Sequence, residues 1–187
     1  YVEKPLSSTY SEGKELVELA LREGVLLGCA PDTFMGAGIH TARKIIDDGL
    51  IGDVVGTTAF MLCPGHESWH PSPEFYYKKG GGPLFDMGPY YITALVNLIG
   101  SVNSVSGMSN CLRKKRKITS EPKRGTFIEV DVDTYVNGLL RFHNGAIGNL
   151  ITSFDVYGTG LSKIEVYGTK GSIIVPDPNC FGGVVLL

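Results

Sequence analysis

Apolar residues recur every three or four positions in three stretches of the chain, which is the pattern of a helix with one buried face. The pattern predicts helices over residues 11–23, 37–48 and 89–100. Ser11 is a candidate cap for the first helix, and Gly24 is placed to end it. We therefore expect three amphipathic helices, each packed against a core.

Shorter apolar or alternating runs predict strands. The first run, residues 25–30, reads as a short buried strand directly after a helix, as in the β-α-β units of parallel, doubly wound sheets. The other predicted strands are residues 54–62, 102–112, 126–142, 146–157, 162–167 and 172–175. The sequence therefore predicts a parallel-sheet remnant up to about residue 32, followed by an α+β domain with helices on one face of an open, mostly antiparallel sheet.

The composition excludes two classes of partner. The chain has 187 residues, of which 43% are hydrophobic and 19% charged, and its formal net charge is -2 at pH 7. This balance gives no basic field that would attract nucleic acid. No apolar run approaches the roughly 20 residues that a membrane helix needs. We therefore expect a globular protein that binds neither nucleic acid nor a membrane.

The cysteines and the chain ends bear on the location and the extent of the protein. The cysteines lie far apart without a Cys-x-x-Cys pair, which is typical of reduced thiols in a cytosolic protein. They are Cys29, Cys63, Cys111 and Cys180. The chain opens at Tyr1 without an initiator methionine and stops in an apolar run at Leu187. We expect a cytoplasmic protein of which this chain is one part.

Two motifs point to functions that their context does not favour. Residues 66–70 match the His-Glu-x-x-His pattern of zinc proteases, but prolines on both sides leave too little chain for the helix that such a site requires. The basic run at 113–117 matches a phosphate-binding patch, but a charge run between two strands is typical of a solvated, mobile loop. We therefore expect no metal and no phosphate site in these segments.

Residues 63–91 are rich in proline, glycine and aromatic residues and form a long segment of the kind that is usually functional. The segment contains Asp86 and Tyr90, which lie four positions apart and share one face if a helix begins there. Lys4, in the triplet Glu-Lys-Pro, is a third candidate. Each has a structural alternative: Asp86 as a helix cap, Tyr90 as a core residue and Lys4 as a surface lysine.

Three motifs together resemble a known family of oxidoreductases. They are the opening E-K-P, the stretch D-D-G-L-I-G-D before a strand, and G-G-G-P-L-F-D-M-G with a proton-transfer residue four positions after its aspartate. With the helix-strand-helix-strand layout between the first and the last, they resemble the glucose-fructose oxidoreductase, inositol dehydrogenase and rhizopine-catabolism family, Gfo/Idh/MocA. The resemblance spans nearly the whole chain.

The resemblance implies a Rossmann domain that binds NAD or NADP, followed by an α+β domain that binds substrate and dimerises through its open sheet. Residues 1–32 would be the closing helix and strand of the Rossmann domain, and residues 33–187 a C-terminally incomplete substrate-binding domain. The family's E-K-P lysine contacts substrate and nicotinamide ribose and often precedes a cis proline. This implies cofactor contacts at Glu3, Lys4 and Pro5.

The resemblance also implies a catalytic group of Lys4, Asp86 and Tyr90. The family's usual histidine acid/base falls on Tyr90, and members similar to glucose-fructose oxidoreductase and dihydrodiol dehydrogenase use tyrosine there. A base for alcohol oxidation should titrate near the working pH, whereas the pKa of free tyrosine, about 10, is about three units too high. An ammonium about 4 Å away, at an effective dielectric constant of about 20, supplies the roughly 4 kcal/mol required. Lys4 is therefore expected to activate Tyr90, and Asp86 to orient Lys4 or a substrate hydroxyl.

Aromatic and imidazole side chains in the same segment suit a sugar or polyol, because a ring face with polar tips binds both C–H and O–H groups. They are His66, Trp69, His70, Tyr76 and Tyr77, whose alternative role is to pack the loop. We therefore expect part of an NAD(P)-dependent dehydrogenase of a sugar, polyol or related carbonyl compound, which forms a homodimer or higher homo-oligomer and is inactive as this fragment alone. The alternative is a non-catalytic sugar-binding or dimerisation module of the same fold.

Overall fold

The computed structural model describes residues Tyr1 to Leu187. Its first helix, α1, spans Tyr10–Glu23 and matches the predicted helix. The cap is Thr9 rather than Ser11, because the Thr9 hydroxyl accepts a hydrogen bond of 3.3 Å from the backbone N–H of Glu12. Gly24 ends the helix with a φ of 65°, in the left-handed region that favours glycine.

Residues 25–30, predicted as a buried strand, form only an isolated parallel bridge. Val2 donates to the carbonyl of Gly28 and accepts from the N–H of Ala30, both at 3.0 Å, which brackets a parallel bridge between Val2 and Cys29. Leu26 is fully exposed to solvent. A strand forms a ladder only where neighbouring strands satisfy its backbone groups, and Val2 is the only residue of the chain that pairs with this segment in the manner of a strand.

Eight strands follow residue 50, and six of them form one sheet. Their bounds are β1 Val54–Leu62, β2 Val102–Asn110, β3 Lys115–Lys117, β4 Phe127–Glu129, β5 Tyr135–Phe142, β6 Ile147–Ser153, β7 Ile164–Gly168 and β8 Ser172–Val175. The six-stranded sheet has the order β2-β5-β6-β1-β7-β8, and only β1 and β6 pair in parallel. The sheet is therefore mostly antiparallel, as predicted.

Three further helices cover one face of this sheet. They are α2 Ala37–Asp47, α3 Gly82–Asp86 and α4 Gly88–Ile99. Helix α4 buries Tyr91, Leu95 and Leu98 against a core that includes Ala59 of β1 and Leu150 of β6. The apolar stripe read from the sequence is thus the core face of α4, and the fold is the predicted α+β class. None of the helices combines the length and the apolar character needed to cross a membrane.

Two predictions within residues 113–142 require correction. The predicted strand at 126–142 is two strands, β4 and β5, because the backbone N–H groups of Val130 and Asp131 instead bond to the carbonyls of Lys114 and Tyr77. The basic run is not a mobile loop, since part of it is strand β3, paired with β4. The side chain of Arg116 is buried, with only 1% of its area exposed.

The other face of the sheet carries no helix. Strand β2 is exposed along most of its length, and Met108 and Leu139 are 85% and 51% exposed. Asn137 and Asn149 join β5 to β6 across this face by a side-chain hydrogen bond of 2.9 Å. The uncovered face therefore mixes apolar and amide side chains.

Candidate active site

A cleft of about 550 Å³ opens where the first residues of the chain meet the end of β1 and the start of α4. The three side chains predicted to act together, Lys4, Asp86 and Tyr90, all line this cleft. They come from the chain start, the last residue of α3 and the first turn of α4. The break at Met87, between the two helices, puts Asp86 at the end of a helix, so it is not the cap of α4.

Lys4 and Asp86 form an ion pair across 82 positions of sequence. The ammonium Nζ donates to Asp86 Oδ1 at 2.9 Å and also to the main-chain carbonyl of Asp86. Both side chains are largely buried, with 15% and 16% of their areas exposed. The Lys4–Pro5 peptide bond is cis. The triplet that carries Lys4 thus reaches into the cleft and contacts the segment that carries Asp86.

A second partner, His66, approaches the other oxygen of the same carboxylate. His66 Nε2 lies 3.3 Å from Asp86 Oδ2. Burial favours the neutral acid, but the hydrogen bonds from His66 and Lys4 outweigh it and hold the pKa of Asp86 below its ordinary value. Asp86 is therefore a charged acceptor shared by an ammonium and an imidazole.

Tyr90 lies beside this group without a hydrogen bond to it. The Lys4 Nζ is 5.3 Å from the centroid of the Tyr90 ring, in a cation–π arrangement. Lys4 can donate three hydrogen bonds, and two of them go to Asp86. One donor is therefore free to meet a ligand in the cleft next to Tyr90.

A buried network holds the turn that carries His66. Arg116 donates from Nε to Glu67 Oε1 and from Nη2 to the carbonyl of Pro64, both at 2.7 Å. The Tyr77 hydroxyl donates to Glu67 and accepts from the backbone N–H of His66 at 3.2 Å. The direction in which His66 points is therefore fixed by charged and phenolic side chains behind the cleft.

The predicted aromatic group divides between the cleft and the interior. His66, Trp69 and Tyr76 line the cleft, and the His66 ring centroid lies 4.0 Å from that of Tyr76 and 5.3 Å from that of Trp69. The structure does not bring His70 or Tyr77 into the cleft. Tyr77 is completely buried, and burial and its hydrogen bond to Glu67 raise the pKa of its hydroxyl.

The two histidines of the His-Glu-x-x-His motif have separate partners. His70 N–H bonds to the carbonyl of His66 at 3.0 Å, which closes one turn, and no helix is formed. His70 Nδ1 accepts from the backbone N–H of Ser72 at 3.0 Å, whereas His66 faces Asp86. No three histidine, cysteine or carboxylate side chains converge as a metal site.

The remaining predicted contacts lie at the edge of the cleft or beyond it. Glu3 is exposed, and its carboxylate accepts from the backbone N–H of Lys4 at 3.2 Å. Glu3 and Pro5 do not line the cleft. Of the E-K-P triplet, only the lysine side chain enters it.

The sequence interpretation missed several polar side chains of the cleft, among them Tyr91, Lys163, Asp177 and Asn179. Lys163 precedes β7, and Asp177 and Asn179 belong to the loop after β8. Tyr91 is almost completely buried, and its pKa is raised by burial and by the charge of Asp177. The one available signal was the Asp-Pro-Asn tripeptide, which is typical of a turn and rich in hydrogen-bonding groups.

Comparison with known proteins gives one family. The model of the GFO/IDH/MocA C-terminal domain matches residues 39–174. A D-glucoside 3-dehydrogenase of Escherichia coli is 31% identical over an alignment of 188 positions, which covers 93% of this chain and 51% of that protein. A levoglucosan dehydrogenase of Pseudarthrobacter phenanthrenivorans is 25% identical and matches 92% of this chain and 47% of its own length. The chain thus spans about half the length of these curated relatives.

Solved structures show the same fold. An NAD binding oxidoreductase from Klebsiella pneumoniae superposes with a TM-score of 0.77 at 25% identity, over 96% of this chain and 47% of that one. A levoglucosan dehydrogenase in complex with NADH and levoglucosan superposes with a TM-score of 0.73 at 25% identity, over 92% of this chain and 46% of that one. The chain thus covers about half of each of these solved structures.

Proposed function

Because the chain belongs to the GFO/IDH/MocA family, we propose that it is part of an NAD(P)-dependent oxidoreductase that transfers hydride between a nicotinamide cofactor and a sugar, polyol or related carbonyl compound. The observation that carries the proposal is the buried Lys4–Asp86 ion pair beside Tyr90 in an open cleft. The curated relatives named for levoglucosan and D-glucoside support a carbohydrate substrate. The chain alone is proposed to be inactive.

The start of the chain fits the edge of a dinucleotide-binding sheet. The parallel bridge between Val2 and Cys29 is the pairing type of such sheets, and Lys4 follows Val2 at the carboxyl end of its short extended segment. Open α/β sheets bind ligands outside the carboxyl ends of their strands. We assign residues 1–32 to the end of a Rossmann domain and residues 33–187 to the substrate-binding domain. When bound, NAD or NADP supplies the hydride acceptor or donor.

Each residue of the catalytic group has a distinct role in alcohol oxidation. Removal of a hydride from carbon requires loss of the hydroxyl proton, and Tyr90 is the proposed acceptor of that proton. Lys4 donates a hydrogen bond to the reacting oxygen and favours negative charge beside it. Asp86 holds Lys4 through its carboxylate and its carbonyl. Trp69 and Tyr76 offer ring faces to the substrate.

Turnover by the full-length protein tests this proposal. The assay measures reduction of NAD and NADP with a panel of sugars and polyols. We expect Tyr90→Phe and Lys4→Met each to lower kcat/KM by about 10²–10⁴-fold, the usual range for general acid–base groups. The controls are Tyr10→Phe and Lys14→Met, on the exposed surface of α1. Unchanged kcat/KM in Tyr90→Phe would overturn the assignment, and sugar binding without turnover would favour the non-catalytic module.

The uncovered face of the sheet is proposed as the contact between copies of the chain. Met108, Leu139 and Ile147 are exposed there by 85%, 51% and 43%. Burying such apolar area favours association. We expect the full-length protein to sediment as a dimer or higher homo-oligomer, and Leu139→Arg to dissociate it. A monomeric wild-type protein would contradict this assignment.

The free thiols are the basis for a proposed cytoplasmic location. No cysteine forms a disulfide, and reduced thiols are typical of the cytosol. Fractionation of cells that express the full-length protein tests this, and recovery outside the cytosolic fraction would contradict it.

A further inference from the structure

A second polar group lines the cleft but takes no part in the hydrogen bonds around Asp86. It consists of Lys163, Asp177 and Asn179. Lys163 immediately precedes β7, and the other two residues follow β8 on a loop. Neither the ammonium nor the carboxylate forms an ion pair within the chain, so both charges face the cleft without a protein partner.

The hydrogen-bonding capacity of these side chains is mostly unused. Lys163 Nζ and the Asn179 side-chain amide make no hydrogen bond, and one oxygen of Asp177 accepts only from the backbone N–H of Asn179, at 2.9 Å. Lys163 and Asp177 are half-buried. Two donor groups and one charged acceptor are therefore available to a ligand.

The loop that presents Asp177 and Asn179 is held in place. The buried hydroxyl of Thr33 donates to the carbonyl of Pro178 at 2.7 Å. The backbone N–H of Gly38, at the start of α2, donates to the carbonyl of Phe181 at 3.3 Å. The loop is thereby tied to the rest of the domain at Pro178, between Asp177 and Asn179, and again at Phe181. A site that is held in advance loses less entropy when it binds a ligand.

The charges along the whole cleft balance. Its lysines are Lys4 and Lys163, and its carboxylates are Asp86 and Asp177. A substrate with a carboxylate or phosphate would gain attraction from Lys163 but suffer repulsion from Asp177, whereas hydroxyl groups can pair with both. An ionised carboxylate can accept from two neighbouring hydroxyls, and ammonium and amide groups donate to hydroxyl oxygens.

We propose that Lys163, Asp177 and Asn179 form the specificity-determining subsite for the hydroxyl groups of an uncharged polyol or sugar, at positions other than the reacting carbon. The inference rests on the proposed function, because it concerns the substrate of the same cleft. In this proposal, the selectivity between neutral and anionic substrates depends on the positive charge of Lys163 and the negative charge of Asp177. Removing either charge should therefore shift that choice in opposite directions.

The test compares neutral and anionic sugars on the full-length enzyme. The probes are D-glucose and myo-inositol as neutral compounds, and D-glucuronate and D-glucose 6-phosphate as anionic ones. We expect the wild type to favour the neutral probes in kcat/KM. Asp177→Asn should raise acceptance of the anionic probes relative to the neutral ones by about tenfold, and Lys163→Gln should lower it by a similar factor. The change should fall on KM more than on kcat.

Matched controls separate this effect from a general change of surface charge. Asp53→Asn and Lys170→Gln remove the same charges from exposed positions outside the cleft and should leave the ratio within about twofold. Asn179→Ala, which alters no charge, should weaken binding of neutral and anionic probes alike. It also serves as a second variant if Asp177→Asn fails to fold, as judged by circular dichroism.

Calorimetric titration of the same probes distinguishes failure of this inference from failure of the proposed function. Opposite shifts in binding without turnover would support the subsite and reject the dehydrogenase. Turnover with no shift in either variant, or with shifts of the same sign, would reject the subsite alone. A wild type that prefers the anionic probes and loses that preference in Lys163→Gln would overturn the assignment to an uncharged substrate.

Discussion

Replacement of Arg116 by methionine tests how firmly the turn behind the cleft is held. The guanidinium donates to the carboxylates of Glu67 and Asp155 and to the carbonyls of Pro64 and Phe154, each at 2.7 Å. Only 1% of the side chain is exposed. Methionine fills similar space and removes every one of these donors. Two carboxylates and two carbonyls then lose a partner where water has little access.

The expected loss of stability depends on the hydrogen bonds that Glu67 and Asp155 keep in Arg116→Met. Removal of one partner of a buried ion pair costs about 3–5 kcal/mol, because the other charge stays buried and uncompensated. Asp155 retains Arg113 at 2.9 Å and the Thr134 hydroxyl, and Glu67 retains the Tyr77 hydroxyl. These remaining bonds place the loss at the lower end, about 3 kcal/mol in the free energy of unfolding.

Urea denaturation of the full-length protein measures this loss, and amide hydrogen exchange locates it. The N–H groups of Thr119 and Ser120 bond to the carbonyl of Glu67 at 2.8 and 3.1 Å, so they should exchange faster in Arg116→Met. The control is Lys117→Met in the same strand, which removes a charge from an exposed side chain and should change stability by less than about 0.5 kcal/mol. Equal losses in the two variants would refute the reasoning.

The pH dependence of the free energy of unfolding gives an independent check on the role of the Arg116–Asp155 ion pair. Burial raises the pKa of Asp155, but the hydrogen bonds from Thr134 and Arg113 and the charge of Arg116 more than reverse this, so the folded-state pKa lies below the ordinary value. Such a carboxylate stabilises the wild type above the unfolded pKa of about 3.9, and the contribution disappears as the pH falls through the folded pKa. The deficit of Arg116→Met should therefore hold between pH 7 and about 5 and shrink as the pH falls below about 4, through the folded-state pKa. A deficit that grows on acidification would contradict the role of the ion pair.

Three further substitutions have defined outcomes. Tyr77→Phe removes a buried hydroxyl with two hydrogen-bond partners and should cost about 1–2 kcal/mol in urea denaturation, with faster exchange of the 66–70 turn. Gly36→Ala places a Cβ against the backbone of the loop after β8 and should cost about 1–3 kcal/mol, whereas Gly158→Ala, with open space around it, should cost nothing measurable. Thr33→Val removes the hydroxyl that holds that loop and should raise KM for sugars more than it lowers kcat; an unchanged KM would separate the loop from substrate binding.

Local patterns predicted helices α1, α2 and α4 and most strands, because each such element presents a face to one core, whereas the five-residue helix α3 was not predicted. The periodic stripe of α4 and the alternation of β1 are visible in the sequence and are the faces that the structure buries. The burial of Arg116 is not predictable from such local patterns. Arg116 lies among exposed lysines, and its burial depends on Glu67 and Asp155, which are 49 and 39 positions away. Charge-run statistics contain no information on such partners.

The residues of the candidate site were likewise only partly predictable from the sequence. Lys4, Asp86 and Tyr90 came from motifs and do meet in one cleft. Lys163 and Asp177 have no motif, and they reach the cleft only because β7 and β8 lie at the end of the sheet next to β1. Tyr77 has the same ring and polar tip as Tyr76 and is predicted with it, but successive side chains in the short helical turn at Pro73–Tyr77 point in different directions.

The surroundings of Asp86 narrow the choice of the residue that takes the substrate's proton. The hydrogen bonds from His66 and Lys4 hold the pKa of Asp86 below its ordinary value, which makes its carboxylate a weak base. Both carboxylate oxygens already have a partner, at 2.9 and 3.3 Å. Asp86 is therefore suited to fix Lys4, whose remaining donor is free for a substrate oxygen. This supports the proposal that the proton goes to Tyr90, so Asp86→Asn should disturb turnover through the position of Lys4 and lower kcat less than Tyr90→Phe does.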